Sequence, residues 1–187
     1  MKVKRSIIVD TDCFNIGDKI QVSRYTATCQ RVLLTGSIFL MDQYLDTAYA
    51  MNAKDTNIGG YEKSDLRKAL KKKEVLDIFK DIRDYMIPLS NGDLVRIPFA
   101  EEIFGDRIPE WCEPDNHKQW PLMRSKLNRQ ASRLEDYEWG WLQNKSKMNE
   151  SNFFSISCDG NINWCDASNV IGVRLVFKID PRKLEEK

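Results

Sequence analysis

Ser151–Ile179 reads SNFFSISCDGNINWCDASNVIGVRLVFKI, and its pattern decides the fold. Phe153 to Cys158 has the composition of a strand, and Asp159-Gly160 signals a tight turn. Asn161 to Cys165 then returns as a second strand, with Ile162 and Trp164 on one face. Asp166 to Asn169 is a polar loop. From Gly172 to Ile179 a third strand follows, because Val173, Leu175, Phe177 and Ile179 alternate with Arg174 and Lys178. Together these predict an antiparallel β-meander with one well-buried face.

Working outward, the N-terminal part also reads as strands. Ile7 to Val9 is a short apolar run, and Gly17-Asp18 marks a turn before alternation through Val22. Val32 to Leu34, Thr35-Gly36 and Ile38 to Met41 predict a hairpin. Met51 to Tyr61 is a loop rich in Asn, Asp and Gly. Ser64 has the chemistry of an N-cap. Leu66, Ala69 and Leu70 share one helical face, and Val75, Phe79 and Ile82 share another, out of phase across Lys71-Lys72-Lys73. That predicts one bent helix or two short ones ending before Pro88, with the lysines on a solvated face. Ser90 to Asp93 is a turn, Leu94 to Ile97 a strand, and Pro98 to Phe104 a short helix stopped by Gly105. Glu101 and Glu102 read as exposed first-turn carboxylates. Trp139 and Trp141, two apart, read as core.

Pro121–Leu134 (PLMRSKLNRQASRL) carries the strongest helical period. Met123, Leu127, Ala131 and Leu134 make an apolar stripe, and Lys126, Arg129 and Arg133 make a basic one beside it. Such a face suits phosphates or an acidic protein partner. With Glu135, Asp136 and Glu138 nearby in sequence, it equally suits an internal ion-pair surface.

Length and composition bound the rest. The 187 residues suit a single domain, comprising N-terminal strands over 1–58, a region over 59–179, and a frayed tail over 180–187. With 42% apolar and 30% charged residues, a packed core is feasible and global disorder is not. The net charge of +1 does not point to nucleic acid or a membrane surface. No apolar run approaches the roughly 20 residues that span a bilayer. Asp10 and Asp12 end the apolar run of the basic N-terminus after Val9, too early for a signal peptide, so an intracellular location is expected. The five cysteines, Cys13, Cys29, Cys112, Cys158 and Cys165, then read as reduced thiols. Cys112 and His117 lack the second ligand pair that zinc sites favour, and their segment reads as a surface loop. One histidine in a charged loop does not suit a Ser-His-Asp set, and no glycine-rich phosphate loop is present. No cofactor, metal or catalytic residue is expected.

A family resemblance adds to this reading. WGWLQN, NFFSIS-DG-NINW, a polar loop and IGVRLVFKI together resemble the C-terminal half of the phage and prophage domain of unknown function numbered 6273. GGYEKSDLRKAL resembles that family's helix start, and LVRIPFAEEIFG its strand-then-helix segment. The likeness covers about Gly59 to Ile179. Leu175 departs from the family's usual proline, and Gln143 from its usual arginine. The family is similar to the C-type-lectin-like fold of phage receptor-binding proteins and formylglycine-generating enzymes. The resemblance therefore implies an α+β, C-type-lectin-like chain, with a mixed or antiparallel sheet and two or three helices. It implies non-catalytic binding of a macromolecule in the cytoplasm of a bacterial host. The expected role is that of an anti-CRISPR-like factor that binds and blocks a host protein such as a defence nuclease, using Lys126, Arg129 and Arg133. The alternative is a virion module that binds a receptor or glycan through Trp164, Asp166 and Asn169. A third is a formylglycine-generating-like oxidoreductase using Cys158 and Cys165 facing each other across the hairpin. Glu113 to Asn116 and Trp164 to Asp166 approach lectin calcium motifs but depart from both, and are taken as coincidental.

Overall fold

The computed structural model describes residues 14–180 and Arg182. The short run at Ile7–Val9, Cys13 and most of the tail after Asp180 lie outside the described residues.

Alternating apolar residues build the first three strands, β1 (Lys19–Val22), β2 (Tyr25–Leu33) and β3 (Gly36–Met41). β2 and β3 form the expected hairpin, with Leu33 opposite Gly36 and a bulge between Cys29 and Arg31. A two-residue strand, β4 (Tyr49–Ala50), precedes the Asn- and Gly-rich loop. Ser64 then caps α1 (Asp65–Leu70), its hydroxyl accepting from the Arg67 amide at 3.0 Å. The phase break across the lysines is real: α2 (Lys73–Leu76) is a separate helix, and Lys71, Lys72 and Lys73 are exposed. β5 (Val95–Arg96) and α3 (Ala100–Phe104) follow.

Asp93, in the turn before β5, anchors this region. Its carboxylate accepts from Arg67 Nε at 2.6 Å and Nη2 at 3.2 Å, and Lys71 Nζ lies 2.7 Å away. Burial opposes ionisation, but the two cations outweigh it and hold the carboxyl below its usual range. A depressed pKa stabilises the fold above the unfolded value of about 3.9, and that stability is lost as pH falls below it. Asp93→Asn is therefore expected to destabilise the protein at pH 7 and to lose that effect progressively as pH falls below about 3.9. Urea unfolding of both proteins across that range checks this; a pH-independent difference would contradict it.

Sequence periodicity misleads at Pro121–Leu134. In place of one helix there is a 3-10 turn (Pro121–Arg124), one helical turn α4 (Lys126–Arg129), and the hairpin β6 (Ser132–Arg133) and β7 (Asp136–Tyr137). Leu134 turns that hairpin at φ 59°. Side chains take the carbonyls a helix would have used. Arg129 Nε donates to the Met123 carbonyl at 2.7 Å, and Asn128 Nδ2 to that of Leu122 at 2.8 Å. The apolar stripe is split accordingly: Met123 and Ala131 are buried, whereas Leu127 and Leu134 are about three-quarters exposed, at 75% and 74%.

β8 (Gly140–Lys145), β9 (Asn152–Ile156) and β10 (Ile162–Asp166) form a three-stranded sheet in the order β10-β9-β8. Ile156 faces Ile162, so residues 157–161 make a longer loop than the expected two-residue turn. The meander also ends differently from expectation. β11 (Val170–Ile171) pairs with β4, and β12 (Val176–Ile179) leaves for the first sheet. There it lies between β3 and β5, giving the antiparallel order β1-β2-β3-β12-β5. Strands from both ends of the described chain thus share one sheet.

Nor does β12 have a single buried face. Leu175, Val176 and Phe177 are all fully buried, as a central strand demands. Phe177 and Phe39 stack at 5.6 Å on the side covered by Leu66, Leu70 and Phe79. Val176, Ile38 and Leu40 face the other core, built with Phe104, Trp120, Phe154 and Ile156. Arg174, expected at the surface, is 4% exposed and donates to the carbonyls of Met41 and Asn128 at 2.6 and 3.1 Å. Among the described residues no helix is long and apolar enough to cross a membrane.

Candidate functional site

α3 is one turn long, yet it organises the most built-up corner of the molecule. Glu102 reaches back to accept from the Phe99 amide at 2.9 Å, and Gly105, at φ 62°, closes the turn. The same Glu102 carboxylate is held by Arg96 at 2.6 and 2.8 Å, with both side chains almost fully buried. Beside it, Glu101 accepts from the Asp115 amide at 2.6 Å and from Asn144 Nδ2 at 3.0 Å. Asn144 also takes the Ala100 amide at 2.7 Å and donates to the Glu113 carbonyl at 2.8 Å. Glu101 and Glu102 are therefore 6% and 1% exposed, contrary to the expected surface carboxylates. The strand β8 offers them an amide partner, and Arg96 offers a cation, so burial does not leave them bare.

This network fixes the floor of a cleft of about 510 Å³. Four separate segments line it: Gly59 to Glu62, Phe99, Glu113 to Asp115, and Gln143 to Lys145. Tyr61 is buried, and burial pushes its hydroxyl pKa up. Phe99 is clamped between His117, stacked at 4.1 Å, and the Arg96 guanidinium at 4.9 Å.

Gln143 is 5% exposed and donates Nε2 to the Ile97 carbonyl at 2.6 Å, which fixes the orientation of its amide. Three carboxylates stand on the rim. Glu62 contacts Arg67, Glu113 lies 3.5 Å from Lys145, and Asp115 meets His117 Nδ1 at 2.5 Å. Each rim carboxylate thus has a basic neighbour. Among the described residues, no three His, Cys, Asp or Glu side chains come together as a metal ion would require.

The basic face expected from sequence does not form. Arg129 is 7% exposed, lies over the Phe104 ring at 5.0 Å, and spends its donors on the carbonyls of Met123 and Arg124. Burial lowers its pKa. Arg133 forms a two-bond pair with Glu138 at 2.6 and 2.7 Å, the internal ion-pair arrangement. Lys126 lies 3.5 Å from Asp159. Trp164, Asp166 and Asn169 sit at the end of β10 and the start of its loop, all exposed. The Trp164 indole packs edge-on against Trp111 at 4.8 Å, and Asp166 accepts from the Ser151 hydroxyl at 2.9 Å. No hydrogen bond or ion pair among the described residues joins this trio to the three basic residues.

The thiols are also corrected. Cys158 is exposed in the β9–β10 loop and Cys165 is buried opposite Phe153, so the two do not face each other. Cys112 is tucked into the core rather than lying on the surface, and burial, with Glu101 adding, lifts its pKa to about 12. The cleft residues themselves were visible only as fragments. Gly59-Gly60-Tyr61 and the Glu101-Glu102 pair stood out as motifs, and Gln143 as a departure. Nothing in their spacing said that they meet.

Compared with protein-family models, curated proteins and solved structures, the chain matches none.

Proposed function

We propose that this chain is a non-catalytic binding module with a C-type-lectin-like fold, and that its cleft engages a basic segment of a protein partner. One observation carries the reading. Four segments far apart in sequence converge on a cleft with a hydrogen-bonded floor and three carboxylates on its rim. A floor of buried polar groups hydrogen-bonded to one another is preorganised, which lowers the ordering cost of binding. Rim carboxylates steer and select a positively charged surface. Nucleic-acid enzymes carry such surfaces, so a phage factor that blocks a host nuclease in the bacterial cytoplasm fits this chemistry. The charge logic is the reverse of the sequence expectation: the partner is basic and this chain is acidic at the contact. The antiparallel sheet that joins both ends of the chain, with a second sheet formed between them, supports the lectin-like assignment.

The test is capture from nuclease-treated bacterial lysate by the wild type and by Glu62→Lys/Glu113→Lys, both of which are exposed positions. Capture of a stoichiometric protein that falls at least ten-fold in the double variant is expected. Equal capture by both would contradict the cleft assignment. A second reading has its own observation: Trp164 is 48% exposed, packs edge-on against Trp111 and stands next to Asp166 on the same strand face, as suits a glycan or receptor contact. Loss of capture in Trp164→Ala, with the double lysine variant unaffected, would favour it.

A further inference from the structure

We infer that a second cavity, between β1–β2 and the irregular segment 122–130, binds a small hydroxylated carboxylic acid, independently of the cleft. Its volume is about 380 Å³. Lys19, Thr28 and Gln30 line it from the two strands, Leu122 and Leu127 from the irregular segment, and Arg174 from the approach to β12. The key group is Gln30. It is 1% exposed, and its Nε2 donates to the Thr28 carbonyl at 3.2 Å, which fixes the orientation of its amide. Its Oε1 has no hydrogen-bond partner among the described residues. Gln30 is the extra residue of the bulge between Cys29 and Arg31, so the strand ladder does not dictate its direction, and the bulge turns it to the cavity wall. A buried acceptor without a donor is costly unless a ligand or water supplies one. The occupant of the cavity therefore carries a donor.

Arg174 asks for the complementary chemistry in the same cavity. Its side chain is almost wholly buried, with Nε donating to the Met41 carbonyl at 2.6 Å and Nη1 to those of Asn128 and Arg129 at 3.1 and 3.4 Å. Carbonyls satisfy N–H groups without cancelling the charge, and no carboxylate pairs with this guanidinium among the described residues. Burial works against the charge and lowers its pKa. Asp42 lines the cavity too, but it is engaged by the Thr28 hydroxyl at 2.6 Å and by Lys19 Nζ at 2.9 Å. A buried cation without a counter-charge is stabilised by an anion brought beside it. A carboxylate supplies that charge, and a hydroxyl on the same molecule supplies the donor that Gln30 lacks. Leu122, Met123 and Leu127 offer an apolar wall to the carbon chain between them. A plain carboxylate would answer Arg174 and leave Gln30 bare, and a sugar alcohol would answer Gln30 and leave Arg174 uncompensated.

The experiment is an NMR titration of the intact protein with gluconate, using sorbitol as the uncharged control and butyrate as the control without hydroxyls. Saturable gluconate binding is expected, tighter than that of either control, with shifts centred on residues 28–30, 122–130 and 174. Gln30→Met keeps the length of the side chain and removes the acceptor, so the affinity for gluconate should fall about five-fold, the loss of one neutral hydrogen bond. That variant also gives up the bond to the Thr28 carbonyl, so Leu127→Glu provides the second measurement. Leu127 is 75% exposed at the cavity wall, and the substitution sets a like charge against the acid without touching the core. Gluconate should weaken several-fold in Leu127→Glu, and less so at high salt. Absence of saturable gluconate binding, equally tight binding of sorbitol or butyrate, or indifference to Leu127→Glu would overturn the inference. So would shifts confined to residues 59–62, 113–115 and 143–145, which would put the acid in the cleft.

Discussion

Glu102→Ala is expected to lower the free energy of unfolding by about 3–5 kcal/mol, the cost of leaving one member of a buried ion pair behind. The reason lies in what Glu102 satisfies. Its carboxylate takes two bonds from Arg96, whose side chain is 3% exposed, and one from the Phe99 amide at the head of α3. Without it, the Arg96 guanidinium keeps only the Ile97 carbonyl at 3.0 Å and the ring of Phe99. Among the described residues Arg96 Nε already lacks a partner, so they offer no spare acceptor there. Replacing both charges at once, as Arg96→Met/Glu102→Leu, removes the stranded cation and should recover most of the loss. Guanidinium chloride unfolding of the three variants and the wild type reads this directly. A single variant costing under about 1 kcal/mol, or a double variant no better than the single one, would contradict the account.

Gly140→Ala is expected to cost about 3 kcal/mol, the upper end of what overpacking a rigid core produces. A Cβ at Gly140 would lie 2.3 Å from Tyr44 Cε1, and one at Gly172 would lie 2.6 Å from Tyr44 Cγ. The Tyr44 ring is therefore wedged between two backbone segments that β8 and the approach to β12 bring together. The Trp141 amide donates to the Gly172 carbonyl at 3.0 Å, and the Gly172 amide to the Trp139 carbonyl at 2.8 Å, so neither segment can retreat. Tyr44 is 1% exposed and its hydroxyl has no partner among the described residues, and burial raises its pKa to about 12. It is kept there by shape and not by polarity. Tyr44→Leu makes room, so Gly140→Ala should cost little in that background. Thermal unfolding of the cycle tests it: additive costs would mean that the ring is not what excludes the methyl group.

How much of this was legible depended on how local the cause is. Ser64, Gly105 and the Thr35-Gly36 hairpin act within a few residues, and each was readable from its own neighbourhood. The break across Lys71-Lys72-Lys73 was readable for the same reason, because the apolar phase changes there. Pro121–Leu134 was misread because its period is helical while its carbonyls are claimed by Arg129 and Asn128 from further along the segment. Arg129 and Arg133 looked like a surface for the same reason, since only the folded chain brings Phe104 and Glu138 to them. In β12 the alternation of Arg174 and Lys178 suggested a wet face, whereas the unbroken Leu175-Val176-Phe177 was the truer sign of a central strand. The cleft depends on pairings such as Glu101 with Asn144, 43 residues apart, which no spacing rule reveals.

The central claim is that a basic protein partner docks on the acidic cleft. Amide hydrogen exchange, read by mass spectrometry with and without the captured partner, tests it most directly. Slowed exchange at residues 59–62, 113–115 and 143–145 is the result this account requires. Protection confined to residues 162–169, around Trp164, with the cleft segments unchanged, would contradict it.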